Sequence, residues 1–173
     1  MKTFYKTAMA LMAATALLTS CSDDTDGSTG GGNTPSGTYI SANVGGSNFE
    51  TLSQQGFNAA NATKQTIGDQ TFITITATSA NTNSMVITFT DVTATGTYDV
   101  GPQSDNVVAF FETATETAFS SNADCSGATG ELKVTHYSDT KIEGTFTFTG
   151  KNDDNCSQSK SVTNGKFRGV FAN

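Results

Sequence analysis

From residue 38 onward, apolar and polar side chains alternate with a period of two, the pattern of strands with one buried face. Ile40, Ala42 and Val44 alternate with Ser41 and Asn43. Gly45-Gly46 follows, and a second short run over 47–52 carries Phe49. A Gly-Gly pair between two such runs predicts a tight hairpin. Over 72–79, Ile73, Ile75 and Ala77 share one face while Thr74, Thr76 and Thr78 share the other; Met85, Ile87 and Phe89 repeat the pattern. A short strand starts at Gly96-Thr97-Tyr98, and Gly101-Pro102 ends it. Residues 107–113 and 116–120 predict another hairpin, and strands over 131–137, 141–150 and 161–171 complete the set. Residues 53–70 hold Phe57 and Ile67 among polar neighbours and read as loop with a short strand.

No stretch after residue 20 carries a helical stripe. About nine or ten strands, spaced by roughly 8–14 residues with short connections, predict an all-β fold: an antiparallel β-sandwich or barrel. It forms a single domain over 38–173. Thr coats the outer faces, as suits a solvated sheet surface, and the inward Phe residues supply the core.

The two cysteines in this domain, Cys125 and Cys156, lie beyond the two ends of the 131–137/142–149 hairpin. Matching apolar faces sets Leu132 opposite Phe148, Val134 opposite Phe146 and His136 opposite Gly144, with Asp139-Thr140-Lys141 as the loop. Extended outward, this register brings Cys125 beside residue 155, within bridging distance of Cys156. Closing a loop of about 30 residues stabilises by roughly 3–4 kcal/mol in the chain-entropy model. The same register points His136 inward.

The N-terminus differs in kind. Lys2 and Lys6 precede an uncharged run from 7 to 18, followed by Leu18-Thr19-Ser20-Cys21. The run of about 12 residues is too short to cross a hydrocarbon core that needs about 20, but it suits a signal-peptide core. The flanks of Cys21 resemble a bacterial lipobox. Residues 1–20 then read as a lipoprotein signal peptide and Cys21 as the lipidated N-terminus of the mature chain. Two or three acyl chains would hold it to a membrane far better than one. Residues 22–37, rich in Gly, Ser, Thr and Asp, bury too little to offset chain entropy. Residues 21–37 are therefore expected to form a disordered tether with a reach of roughly 20–25 Å. Asp23, Asp24 and Asp26 resemble the acidic export signal that follows the lipidated Cys in Bacteroidetes surface lipoproteins. The expected location is the outer membrane, cell-surface-exposed, with a periplasm-facing anchor as the alternative.

Charge narrows the partners. Nine Lys and Arg stand against sixteen Asp and Glu, a formal net charge of -7. An acidic chain without a basic cluster is not expected to bind nucleic acid. Candidate chemistry is sparse. His136 is the only histidine; no nucleophile motif surrounds it, and no N/S ligand set for zinc is present. Carboxylate pairs could be drawn from Glu50, Asp69, Asp91, Asp99, Glu112, Glu116, Glu131 and Glu143, but no spacing marks any two. Asp153-Asp154-Asn155 reads as a solvated turn rather than a calcium loop. No catalytic residue, cofactor or metal is expected.

The segments Ile40-Ser41-Ala42-Asn43-Val44-Gly45-Gly46-Ser47-Asn48-Phe49, Gly96-Thr97-Tyr98, Leu132-Lys133-Val134-Thr135, residues 141–148 (KIEGTFTF) and Val162-Thr163-Asn164-Gly165-Lys166-Phe167 together resemble a family of small Bacteroidetes lipoproteins classed as a domain of unknown function. The resemblance covers most of 38–171. It implies an exported β-domain on a lipid anchor and supplies no catalytic residue. The expected function is a non-enzymatic interaction module that binds a protein, a glycan or a small ligand. The alternatives are a structural subunit of an envelope complex and a lipocalin-like carrier of an apolar ligand.

Overall fold

The computed structural model describes residues 37–172. These form thirteen strands and one 3-10 turn. In chain order the strands are β1 (Tyr39–Val44), β2 (Ser47–Glu50), β3 (Ser53–Gln54), β4 (Phe57–Asn58), β5 (Ala60–Ile67), β6 (Gln70–Thr78) and β7 (Ser84–Thr90). They continue with β8 (Gly96–Val100), β9 (Val107–Glu112), β10 (Thr117–Ser120), β11 (Thr129–Tyr137), β12 (Lys141–Lys151) and β13 (Ser159–Val170), the 3-10 turn Thr113–Thr115 lying between β9 and β10. Eleven strands make one sheet in the order β2-β1-β13-β12-β10-β9-β7-β6-β5, and β11 and β8 branch from β12. Every pairing is antiparallel. The sheet curls into a half-barrel, as expected of the all-β antiparallel architecture that the alternation predicts. β3 and β4 form a separate two-residue ribbon.

The inward columns are those the alternation marks. Ile40, Ile73, Ile75, Met85, Ile87, Phe89, Leu132, Ile142 and Phe167 are at most 1% exposed. At about 1.5–3 kcal/mol for each fully buried large side chain, these columns are the main source of stability. The curl comes from bulges and glycines. Register shifts lie at Ser41/Asn43, Val134/His136 and Phe146/Phe148, and each bulge bends its strand and increases the twist. Gly144 pairs with Phe167 and Gly165 with Phe146 across β12 and β13. A Cβ at Gly165 would lie 2.5 Å from the Phe146 carbonyl oxygen, and one at Gly144 would strike the Lys133 carbonyl oxygen and come 2.7 Å from the Phe167 ring. Glycine thus lets the rings lie on the opposing backbone and the two strands bend together.

The bulge in β11 corrects the hairpin register. Leu132 opposes Phe146, Val134 opposes Gly144 and His136 opposes Glu143. The extra residue at the bulge moves His136 to the solvent side, where it is exposed. The apolar-matching rule could not see this, because both registers pair Leu and Val with apolar residues or glycine. The connecting loop is Ser138-Asp139-Thr140, one residue earlier than expected.

Residues 53–70 are more ordered than their polarity suggests. After β2, Thr51 bridges to Ser79, and the Leu52 N–H donates to the Thr78 carbonyl at 2.9 Å. The β3–β4 ribbon follows, and β5 then runs along β6 from Ala60 to Ile67. The two ends of the long strand order, β2 and β5, are therefore nearly consecutive in the chain. Thr51 ties β1 to the end of β6: its backbone bridges to Ser79, and its hydroxyl donates to the Ile40 carbonyl at 2.9 Å and accepts the Ile40 N–H at 2.8 Å.

Candidate functional site

Three inward columns end in polar residues at one rim of the half-barrel. On β9, Val108 and Phe110 are buried, and Glu112 is the next inward position. On β10, Thr117 precedes buried Phe119; on β13, Lys160 precedes buried Val162. Period two therefore aims Glu112, Thr117 and Lys160 towards the same end of the core, just past its last apolar layer. The Lys160 ammonium donates to Glu112 Oε1, and Lys160 Nζ lies 5.4 Å from the centroid of the Phe119 ring. The two side chains are only 29% and 24% exposed. Around them opens a depression of about 410 Å³, lined also by Thr115, Ser157, Gln158 and Ser159.

Each wall is braced. Thr115 Oγ1 donates to Glu112 Oε2 at 2.8 Å. The 3-10 turn that carries Thr115 is fastened to the β6–β7 loop: the Thr113 N–H donates to Asn83 Oδ1 at 3.1 Å and its hydroxyl to the Thr82 carbonyl at 2.7 Å. The opposite wall, 157–159, follows directly on Cys156, which is bridged to Cys125 with a Cα–Cα distance of 5.4 Å. Asn155 Oδ1 accepts the Ser157 hydroxyl at 2.6 Å, and the Gln158 N–H donates to the Asn155 carbonyl at 2.9 Å. The hydrogen bond from Lys160 holds the Glu112 carboxyl below the usual carboxylate range, with the Thr115 hydroxyl adding to it. At neutral pH the rim therefore presents a carboxylate, an ammonium, several hydroxyls and an amide in one cup. That set offers donors and acceptors to a polar ligand of either charge.

A second cluster lies on the outer face. Tyr39, Arg168, Glu143 and His136 are successive partners across β1, β13, β12 and β11. Arg168 Nε donates to Glu143 Oε1, its guanidinium lies 5.9 Å from the Tyr39 ring centroid, and Lys141 Nζ stands 3.3 Å from Glu143 Oε2. Partial burial pushes the Glu143 carboxyl up, but the Arg168 hydrogen bond and the charges of Arg168 and Lys141 outweigh it, and the net shift is downward. Burial raises the Tyr39 phenol against the pull of Arg168. Every partner in this row is a strand neighbour, so it reads as a cross-strand tie. A smaller depression of about 310 Å³ lies beside it, lined by Glu131, Thr145, Phe146, Thr147, Asn164, Gly165 and Lys166.

The remaining residues singled out in the sequence are scattered. Cys21 and the acidic residues after it lie outside the described residues. Asp91 Oδ1 accepts the Thr71 N–H at 2.8 Å, and Asp153 Oδ1 accepts the Asp124 N–H at 3.0 Å. Asn152 Oδ1 accepts the N–H groups of Asp154 and Asn155, which makes 152–155 a tight side-chain-capped turn. Among the described residues, no three His, Cys, Asp or Glu side chains converge to hold a metal ion. Glu112 was one unmarked carboxylate among eight; Lys160, Thr115, Thr117 and Phe119 carried no motif at all. The available signal was parity: Glu112 stands two residues after Phe110, and Lys160 two before Val162.

The chain matches one protein family, described as a domain of unknown function (DUF6252), over residues 46–171. No curated protein and no solved structure matches it.

Proposed function

The chain belongs to the DUF6252 family, and on that premise we propose that it is a non-enzymatic binding module that takes a small polar ligand at the rim of its half-barrel. The observation that carries this reading is the convergence of Glu112, Lys160, Thr115, Thr117 and Ser157 on one depression of about 410 Å³. Its size falls within the range of ligand sites, roughly 300–1,000 Å³. Its walls are strands, a pinned turn and a disulfide-braced loop, so little ordering cost opposes binding. The carrier reading has less support, because the inward columns are filled by side chains.

The module is further proposed to be lipidated at Cys21 and held on the outer membrane, facing the cell exterior. The signal-like residues 1–20 and the acidic residues 23–26 support that placement. Metabolic labelling with a fatty-acid analogue tests it: label should enter the wild type and be lost in Cys21→Ala.

Binding is tested by two-dimensional NMR of the isotope-labelled protein, titrated with defined neutral oligosaccharides and, separately, with free amino acids at millimolar concentration. Saturable shifts of the Glu112, Thr117 and Ser157–Lys160 amides that vanish in Lys160→Ala are expected for at least one probe class. Shifts centred elsewhere, or none with either class, would refute the rim as the site.

A further inference from the structure

We infer that two copies of this chain associate through β5, antiparallel about a two-fold axis at Thr63, which joins their sheets edge to edge. The main sheet ends in three strands, β2, β5 and β8. β2 is four residues long, and the chain beyond it is already bonded to β6. β8 is covered where the Ser104 hydroxyl and the Asn106 amide both donate to the Asp99 carbonyl. β5 is eight residues long and pairs with β6 without a register shift. It has no proline, and only β6 is hydrogen-bonded to it; β13 approaches its buried Ala62 at Gly169 without pairing. Its one charge, Lys64, does not guard the edge: Nζ lies 5.2 Å from the Tyr137 ring centroid and 3.8 Å from Asp139 Oδ1. Proline, a bulge and short length, by which many edge strands avoid pairing, are absent from β5, and its single lysine is drawn to Tyr137 and Asp139.

The ladder identifies which groups are free. The Thr78 N–H donates to the Ala59 carbonyl, and Ala60 faces Ala77. Because hydrogen-bonded and non-hydrogen-bonded pairs alternate, Asn61, Thr63, Gln65 and Ile67 bond to β6. The N–H and C=O groups of Ala62, Lys64 and Thr66 therefore point to the open side. A second β5 brings the same set antiparallel. With the axis at Thr63, Ala62 meets Lys64 and Asn61 meets Gln65, with no like charges opposed; an axis at Lys64 would oppose two lysines, which is unfavourable.

The occupant is argued from the apolar residues at the two ends of this edge. Phe57, three residues before β5, is 55% exposed, and Ile67, its last residue, is 64% exposed; no other large apolar side chain among the described residues is as open. An antiparallel two-fold carries the Ile67 end of one copy to the Phe57 end of the other, at both ends of the seam. A self-complementary edge with apolar residues at both ends fits a second copy of this chain.

Thr63→Cys tests this in cells that carry the full chain. Across the axis the two Thr63 positions form a non-hydrogen-bonded pair with Cα atoms about 4.5 Å apart, well placed for a disulfide. Mild oxidation should give a two-chain species at least tenfold above that of Thr97→Cys on β8. Mixed Asn61→Cys and Gln65→Cys chains should cross-link with each other, and neither with itself. Thr66→Pro removes an outward N–H, leaves the backbone bonds to β6 in place and gives up only the Thr66–Thr71 hydroxyl contact; it should cut the Thr63→Cys product at least tenfold. Equal cross-linking at residues 63 and 97, or Asn61→Cys and Gln65→Cys mixtures that do not cross-link, would overturn the proposal. So would Thr66→Pro chains that keep the Cys125–Cys156 bridge and the strand circular dichroism yet cross-link as before.

Discussion

Glu112 and Lys160 are 48 residues apart in the chain and share a hydrogen bond across the rim of the half-barrel, the last inward positions of β9 and the first of β13. The pair occupies the point where the apolar core stops, so its charges meet both a partner and solvent.

The pair sets a pH dependence. The Glu112 carboxyl lies below its ordinary value in the folded state. A depressed folded pKa contributes stability that is fully present above the unfolded value, about 4.3, and is lost as pH falls through the folded value. NMR titration of the side-chain carbonyl carbon should place Glu112 below the usual Glu range in the wild type and move it upward in Lys160→Ala, where the Thr115 hydroxyl remains. With both groups partly exposed, the stability loss in Lys160→Ala near pH 7 should be small, about 0–1 kcal/mol by chemical denaturation.

Arg168→Ala should matter more. It leaves Glu143 partly buried with only Lys141 beside it and removes the cation over Tyr39. The Glu143 carboxyl should titrate higher than in the wild type. The Tyr39 phenol should also titrate higher, since Arg168 holds it down. Loss of a charge-assisted hydrogen bond predicts a cost of roughly 1.5–3 kcal/mol in urea unfolding.

Reducing the Cys125–Cys156 bridge should lower stability by roughly 3–4 kcal/mol, for a sequence separation of 31. The loss should concentrate at one end of the molecule. Hydrogen exchange should speed up first in 152–159, the loop lining the rim, while the β6–β7 core amides keep their protection. Uniform acceleration would show that the bridge supports the whole sheet rather than the rim wall.

Gly144→Ala should destabilise strongly although it adds only one methyl group. The new Cβ would meet the Lys133 carbonyl and the Phe167 ring, and forced overpacking costs about 1–3 kcal/mol or more. Gly46→Ala, with open space around its Cβ but a φ of +91°, should cost about 1 kcal/mol through backbone strain alone. Thermal unfolding of the two variants separates steric from conformational demand.

How far the chain could be read follows from the range of each signal. Alternation is local, and it marked the inward columns through Ile40, Ile73, Met85 and Leu132 without any knowledge of neighbours. Hairpins closed by Gly45-Gly46 and by the turn after Glu112 were visible for the same reason. β5 was not, because an edge strand that buries little beyond Ala62 has no apolar alternation to reveal it. The cysteine pairing was legible even though the register used to reach it was off by two residues at Leu132, since the loops 121–128 and 152–158 bend enough to absorb the error.

By itself, the amino-acid order determined strand type, the composition of the core and the pairing of Cys125 with Cys156, all consequences of side-chain period and chain connectivity. Tertiary structure alone decided the His136 bulge, the curl around Gly144 and Gly165, the free edge of β5 and the meeting of Glu112 with Lys160. Those depend on which strand lies beside which and in what register, and register is a balance between distant backbones that no local pattern encodes.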